Sequence, residues 1–275
     1  MASRATSEMD ARGYSSREAM VAAAAREIHD GEWVFVGMRL PLLAFAVAKG
    51  THAPHAVGLY ESGVIREMPA EEPLLTMGDT PHLHGATFCG SMLDVMGPLQ
   101  QGRVHVGFLG AAEVDRFGNL NTIWGQRDGS AVRLPGSGGA CDIACLARRT
   151  VIMLEHDRRR LVERVAHVTS PGYGAGNGWR RAQGLQAGSG PSAVITTLGV
   201  LRFTPDGEAF LASVHPGVRV EEVLRNTGWT LRVADKLAET PAPTPEEQAI
   251  MRMLDSGRVL RKKSREEFIA ADEAE

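Results

Sequence analysis

A carboxylate at the end of an apolar run is the first group in this sequence placed to do chemistry. In Gly58-Leu59-Tyr60-Glu61-Ser62-Gly63, the run Ala56 to Tyr60 reads as a short strand, Glu61 follows it, and Ser62 and Gly63 form a small, flexible pair. Ligands of a parallel α/β sheet gather at the carboxyl ends of strands, so Glu61 stands where a site would form. Position alone also fits an ordinary solvated loop acid. A second stretch, Pro135-Gly136-Ser137-Gly138-Gly139-Ala140, runs into a helix start at Cys141-Asp142-Ile143-Ala144. Its glycines leave backbone N–H groups unobstructed, the arrangement that stabilises an oxyanion or a phosphate. No Gly-Lys-Ser/Thr follows it, and it does not match the dinucleotide fingerprint. A third stretch centres on a turn, Asp115 to Asn119. Asn119 and Asn121 alternate sides if the chain extends beyond it, and their amides could orient a carboxylate. Ser170 to Gly178 is a further glycine-dense loop of the kind that often carries function.

Other groups point to less. His82 and His84 lie two apart without a third ligand nearby, so no metal is expected. The basic run Asp157-Arg158-Arg159-Arg160 could meet phosphates but reads as a solvated face or a subunit contact. His215-Pro216-Gly217 reads as a turn, not a base, and no Gly-x-Ser-x-Gly elbow supports a serine hydrolase. Three cysteines, Cys89, Cys141 and Cys145, are too few and too sparse for a disulfide framework. They read as small buried hydrophobes.

The elements that must position these groups alternate between strand and helix. Ser15 and Glu18 form a capping box for a helix running to His29, and Asp30-Gly31 ends it. Glu32 to Val36 is a strand, Leu42 to Lys49 a helix, and Ala56 to Tyr60 the next strand, a unit that signals parallel α/β architecture. Further strands are expected at Val104 to Leu109, Val151 to Leu154, Ala193 to Thr197 and Gly199 to Phe203. Pro205-Asp206-Gly207 turns the last of these into a hairpin with Ala209 to Val214, and Val220 to Arg225 is a short helix. The expected organisation is a flexible tail over 1–14, one α/β domain over 15–240, and a Pro-rich break with a peripheral helical tail over 241–275.

Composition fits a folded chain with a sizeable core. The 275 residues are 43 % hydrophobic and carry a net charge of −3, with a mean hydropathy of −0.14. Nothing in that balance calls for nucleic acid or an anionic membrane. No apolar run spans a bilayer, and Met1 to Tyr14 has no apolar signal core, so a cytoplasmic protein is expected.

In order, Glu61-Ser62-Gly63, the Gly110 to Asn121 segment and Gly136-Ser137-Gly138-Gly139-Ala140 form a series. It continues through Thr169-Ser170-Pro171-Gly172, Thr196 to Leu201, and His215-Pro216-Gly217-Val218 leading into Glu221 to Trp229. The series resembles the class I CoA-transferases, and within them the β-type half of glutaconate CoA-transferase, from about Arg17 to Glu246. The resemblance implies an open, largely parallel α/β sheet layered with helices. It implies Glu61 as a nucleophile that forms a glutamyl-CoA thioester, with oxyanion and CoA contacts from Gly136, Ser137, Gly138, Gly139 and Ala140. Ser62, Gly63, Asn119, Asn121 and Trp124 are then candidates for the substrate pocket. The coenzyme A thioester is a substrate, and no metal or permanently bound cofactor is implied. A companion A-type subunit is implied, in a higher hetero-oligomer, because the family places a second oxyanion loop there. Trp124 departs from the Ser/Thr-rich run of the glutaconate enzyme and could reshape the acyl pocket. Some relatives are CoA-thioester hydrolases or C–C lyases in which the glutamate is lost or replaced. The presence of Glu61 favours transfer over those readings, and over a non-catalytic scaffold.

Overall fold

The computed structural model of the chain describes residues 13–72, 74, 77–127, 130–255 and 259–260. The expected tail over 1–14 lies outside them except for Gly13 and Tyr14, and Tyr14 is buried, not trailing. The elements run α1 (Ser16–Ala25), β1 (Trp33–Phe35), α2 (Leu40–Gly50), β2 (Val57–Tyr60), β3 (Val64–Arg66), α3 (Thr80–Leu83), β4 (Phe88–Cys89) and α4 (Met92–Gln100). They continue with β5 (Val106–Gly110), β6 (Glu113–Asp115), β7 (Leu120–Asn121), β8 (Trp124–Arg127), β9 (Ser130–Arg133), α5 (Ala140–Leu146), β10 (Arg149–Leu154) and β11 (Leu161–Val162). The last are α6 (Trp179–Ala182), β12 (Pro191–Thr196), β13 (Gly199–Phe203), β14 (Ala209–Val214), α7 (Val220–Arg225), β15 (Arg232–Glu239) and α8 (Pro245–Leu254).

One ten-stranded sheet, ordered β15-β14-β13-β12-β10-β5-β1-β2-β3-β4, carries the architecture. Its middle, β12-β10-β5-β1-β2, is parallel, as the strand–helix–strand pattern requires. Antiparallel pairs flank it on both sides: β2-β3-β4, and β12-β13-β14 with the expected hairpin at Pro205-Asp206-Gly207. Successive strand residues face opposite sides. Val34, Val106, Phe108, Val151 and Ile195 therefore join the helical layer of α1, α2 and α8. Phe35, Leu109, Ile152 and Val194 join the layer of α4, α5 and α7. No described helix is long and apolar enough to cross a membrane.

The C-terminal segment is docked on the fold through α8. Met251 of α8 is fully buried in the first core. Arg26 donates to Pro241 O, Ala242 O and Glu247, and Arg252 donates to Glu18 Oε1. One apolar stripe on an otherwise charged helix suffices to dock it. Residues 256–258 and 261–275 of the expected tail lie outside the described residues.

Behind the β2–β3 turn sits a buried polar knot. The Arg66 guanidinium donates to the carbonyls of Met68, Pro69, His82 and His84, which solvate its charge inside the fold. The His82 ring packs edge-on to Tyr60, with centroids 4.4 Å apart. Among the described residues neither of its ring nitrogens has a hydrogen-bond partner. Burial, helped by the Arg66 charge, pushes the His82 pKa down from 6.5 to about 4. Between those values the unfolded chain takes up a proton that the folded chain refuses, so stability falls as pH drops from 6.5 towards 4. His156, also pushed down to about 4 by burial, adds to the same window. Replacing His82 by Phe removes its contribution and two unpartnered polar atoms. We expect His82→Phe to raise the thermal midpoint more at about pH 5 than at about pH 7.5, and to gain about 1–3 kcal/mol at neutral pH. Midpoint–pH curves that run parallel for variant and wild type would refute this account.

Candidate active site

Glu61 leaves β2 at the carboxyl edge of the sheet, and a turn sends the chain straight back as β3. Gly63 N–H donates to Tyr60 O at 2.9 Å and closes that turn. Gly63 has φ +95, and a Cβ there would lie 2.2 Å from Gly90 O. Only glycine meets both demands, so the turn is pinned against the segment that enters α4. Alternation fixes the direction of the nucleophile candidate: Leu59 faces the α4/α5 core and Tyr60 the other, which turns Glu61 towards α4 and α5. There the Gly139 N–H donates to Glu61 Oε1 at 2.9 Å. The backbone lies close against the carboxylate: a Cβ on Gly138 would sit 3.3 Å from Oε1, and one on Gly139 3.1 Å. Met96 of α4 flanks the same spot, with its Cε 3.5 Å from the latter position. Glu61 is half-buried, and Ser62 is exposed beside it.

The loop reaches Glu61 because both of its ends are held. Upstream, β8 and β9 pair with Trp124 opposite Arg133. Leu134 N–H then donates to Ile123 O at 2.8 Å, and Gly136 N–H to Thr122 O at 3.0 Å. Downstream, Ala140 N–H donates to Ser137 O at 3.0 Å and α5 begins. This helix lies unusually near β5, since a Cβ on Gly107 would stand 2.3 Å from Ile143 Cγ2. Gly107 thus sets how closely the start of α5 approaches the end of β2. Within the loop from Gly136 to Ala140, Gly139 is the residue that bonds Glu61 among the described contacts.

The amides of Asn119 and Asn121 are taken up by hydrogen bonds within the fold. Asn119 Oδ1 accepts the N–H groups of Gly172 and Gly174, while its Nδ2 donates to both Asp115 oxygens and to Gly174 O. Asp115 also accepts from Phe117 N–H, and burial still pushes its carboxyl up against these bonds. Asn121 donates to Glu113 and to Trp124 O and accepts from Ile123 N–H. The glycine-dense Ser170 to Gly178 segment is accordingly a structural loop moored on Asn119. Trp124 is 44 % exposed with Arg133 stacked 5.2 Å from its ring centroid, so it lines the outside of the β8–β9 hairpin.

The cysteines differ from expectation. Cys89 and Cys141 are exposed and free, because one lies on the edge strand β4 and the other on the outer side of α5. Cys145 is half-buried, and burial together with Cys141 pushes its thiol up to about 11.

One residue of the carboxyl edge gave no signal in the sequence. Arg39, between β1 and α2, has φ 68 and ψ −114. Side chains rarely adopt this conformation, and holding it costs about 1–3 kcal/mol. Arginine carries no turn signature, and the only hints were Gly37 and Pro41 on either side of it.

Known proteins share this sequence pattern and this fold. Residues 17–226 match the sequence model of the family described as coenzyme A transferase. The chain is 42 % identical over 246 residues to the B-type half of the 3-oxoadipate CoA-transferase of Pseudomonas knackmussii, covering 88 % of this chain and 94 % of the relative. It is 35 % identical to the B-type half of the glutaconate CoA-transferase of Acidaminococcus fermentans, over 86 % of this chain and 90 % of the relative. The crystal structure of that glutaconate enzyme superposes with a TM-score of 0.82 at 30 % identity, covering 91 % of this chain and 98 % of the other. The decarboxylase AibA/AibB superposes with a TM-score of 0.75 at 27 % identity, covering 90 % of this chain and 97 % of the other.

The Gly63 contact generates a test of the turn. Gly63→Ala must take up a positive φ and push Gly90 away, at a cost of about 1–3 kcal/mol. Denaturant unfolding should show a lower midpoint with an unchanged slope, and an unchanged midpoint would mean that the two glycines do not constrain each other.

Proposed function

The chain belongs to the coenzyme A transferase family as a B-type subunit, and we propose that Glu61 carries CoA between an acyl-CoA and a free carboxylate as a glutamyl-CoA thioester. The observation that supports this most is the 2.9 Å hydrogen bond from Gly139 N–H to the Glu61 carboxylate at the carboxyl end of β2. The Glu61 carboxylate attacks the thioester carbonyl, the C–S bond breaks, and CoA leaves as the thiolate. The resulting acyl-glutamyl anhydride is attacked by that thiolate at the Glu61 carbonyl. The first acid leaves as its carboxylate, and CoA stays on Glu61. A second carboxylate reverses both steps and takes CoA away.

A carboxylate is a weak nucleophile, so the site must stabilise the charge that develops. In two of these steps the tetrahedral oxyanion forms on the Glu61 carbonyl itself: thiolate attack on the anhydride, and carboxylate attack on the glutamyl thioester. The Gly139 N–H already points at that oxygen and needs no reorganisation to serve it. The oxyanion on the substrate's own carbonyl needs a different donor. We assign that donor to an A-type partner, in keeping with relatives named as one half of a two-part transferase and with the two-chain decarboxylase AibA/AibB.

The partner has a surface next to the nucleophile. Phe88, Met92 and Leu93 are 43 %, 54 % and 77 % exposed along β4 and the first turn of α4. β4 is an outer strand of the sheet, and edge strands present backbone groups for pairing. The same segment supplies Gly90, on which the Glu61 turn rests. A partner docked there would complete the site and exclude water from a hydrolysable anhydride.

Two tests follow. The chain assembled with its A-type partner and given acyl-CoA should become covalently labelled at Glu61, and borohydride should reduce the thioester and end activity. Glu61→Ala should abolish labelling and exchange, whereas full exchange by that variant would sink the mechanism. Release of CoA from acyl-CoA without any acceptor acid would indicate a hydrolase or lyase on this scaffold instead. For the surface, Met92→Asp with Leu93→Asp should prevent co-purification with the A-type partner. Unchanged stoichiometry by size-exclusion chromatography would move the interface elsewhere.

A further inference from the structure

At the carboxyl edge of the sheet that carries the proposed nucleophile lies a cleft that the exchange mechanism above does not use. It encloses about 230 Å³ and is lined by Gly37, Arg39, Pro41, Gly110 and Met153, with Arg17 at its side. Gly37, Gly110 and Met153 mark the carboxyl ends of β1, β5 and β10, three neighbouring parallel strands. Its first strand adjoins Glu61. β1 and β2 pair in parallel as far as Phe35 and Leu59, and Gly37 and Glu61 each follow two residues on from that pair, beyond the ends of neighbouring strands that lie about 4.8 Å apart. Arg39 lies two residues further on, at most about 7 Å of chain.

The two arginines of the cleft differ in their commitments. Arg17 donates to Val259 O and pairs with Glu155. Arg39 is exposed and makes no ion pair or side-chain hydrogen bond among the described residues. Its backbone, by contrast, is tightly held. The Arg39 carbonyl accepts the N–H groups of Leu42 at 3.1 Å and Leu43 at 3.3 Å. A Cβ on Gly37 would lie 3.2 Å from Phe108 O, which fixes the other side of the corner. Glycine would take φ 68 without strain. The fold therefore bears strain to present a guanidinium that makes no ion pair or hydrogen bond among the described residues.

We propose that Arg39 binds a carboxylate at the far end of the acyl group, making the cleft a specificity site for dicarboxylic acids and their CoA esters. This rests on the transferase reading of Glu61. A guanidinium offers two parallel N–H donors that match a carboxylate. The alternative anions are the phosphates of CoA. These lie at the far end of the pantetheine arm from the thioester, whereas Arg39 stands one strand from the residue that attacks it. A short acyl chain running from Glu61 over the end of β1 spans that gap.

Glutarate and pentanoate, acids of equal length that differ by one carboxylate, provide the test on the assembled heteromer. For wild type and Arg39→Gly, kcat/KM is measured for each acid as CoA acceptor, and the affinity of each free acid by calorimetry. Arg39→Gly should lower the glutarate-to-pentanoate ratio in kcat/KM by about tenfold or more, and weaken glutarate binding to a similar extent. Its thermal midpoint should hold or rise, because the strain is gone, and Arg39→Lys should recover part of the ratio. An unchanged ratio with unchanged glutarate affinity would overturn the proposal. So would an equal loss for both acids, or a raised KM for every acyl-CoA, which would assign Arg39 to the phosphates. If wild type exchanges CoA with no carboxylic acid acceptor, the transferase reading fails on its own, and the binding comparison still decides the role of Arg39.

Discussion

One hydrogen bond joins the two halves of the candidate site: Gly139 N–H to Glu61 Oε1, between residues 78 apart in sequence. It can form only if three independent pieces of packing agree. The end of β2 must turn back at Glu61, which Gly63 and Gly90 enforce by an approach that no side chain would permit. The start of α5 must lie close to the sheet, which Gly107 allows. The loop before α5 must be anchored, which the β8–β9 hairpin does through Gly136 and Thr122. Side-chain absence, more than side-chain contact, is what brings a donor and a carboxylate together here.

A second tier of polar groups holds this geometry from behind, by the same rule that buried charge must be solvated by the fold. Arg66 is wrapped by four carbonyls under the Glu61 turn. Arg180 does the same below α5, donating to the carbonyls of Ala144, Pro171 and Gly172 and to Ser189 Oγ. Arg180 therefore ties the body of α5 to the loop that Asn119 moors. Neither arginine meets the reacting groups. Each converts irregular backbone, which would otherwise carry unpaired carbonyls, into a rigid support.

These tiers were unequally legible in the sequence. The parallel middle of the sheet, the β13–β14 hairpin and the Ser15 capping box follow from apolar runs, turn residues and caps, which are local signals. The flanking antiparallel strands β3 and β4 carry no such signal, since they hold three and two residues and lean on partners rather than on propensity. For the site, Glu61 and the Gly136 to Ala140 loop were each visible as types in order, but their contact is a tertiary fact. Asn119 illustrates the converse. Its place in an ordered series suggested a ligand, while its five side-chain hydrogen bonds are all internal. An order of residues in a sequence marks what a fold retains, and it does not separate groups that react from groups that hold. Arg39 was invisible for a further reason: strain is a property of φ and ψ, and no residue type announces it when the type is the wrong one for the conformation.

The geometry also bears on why such a subunit works in company. A transfer through an anhydride and a thioester passes through oxyanions on two different carbonyl carbons, one belonging to Glu61 and one to the substrate. A single backbone donor held 2.9 Å from Glu61 is matched to the first and cannot also occupy the second position. Adding a second donor within this chain would require another backbone segment over the carboxyl edge of β2, where β3 turns back and β4 follows. The edge beyond is apolar and open at Phe88, Met92 and Leu93. On the proposed mechanism, dividing the oxyanion donors between two chains would make assembly a condition of reactivity: among the described residues the half-buried Glu61 carboxylate accepts one hydrogen bond, from Gly139, and a second chain would displace the water that competes with an acyl-CoA.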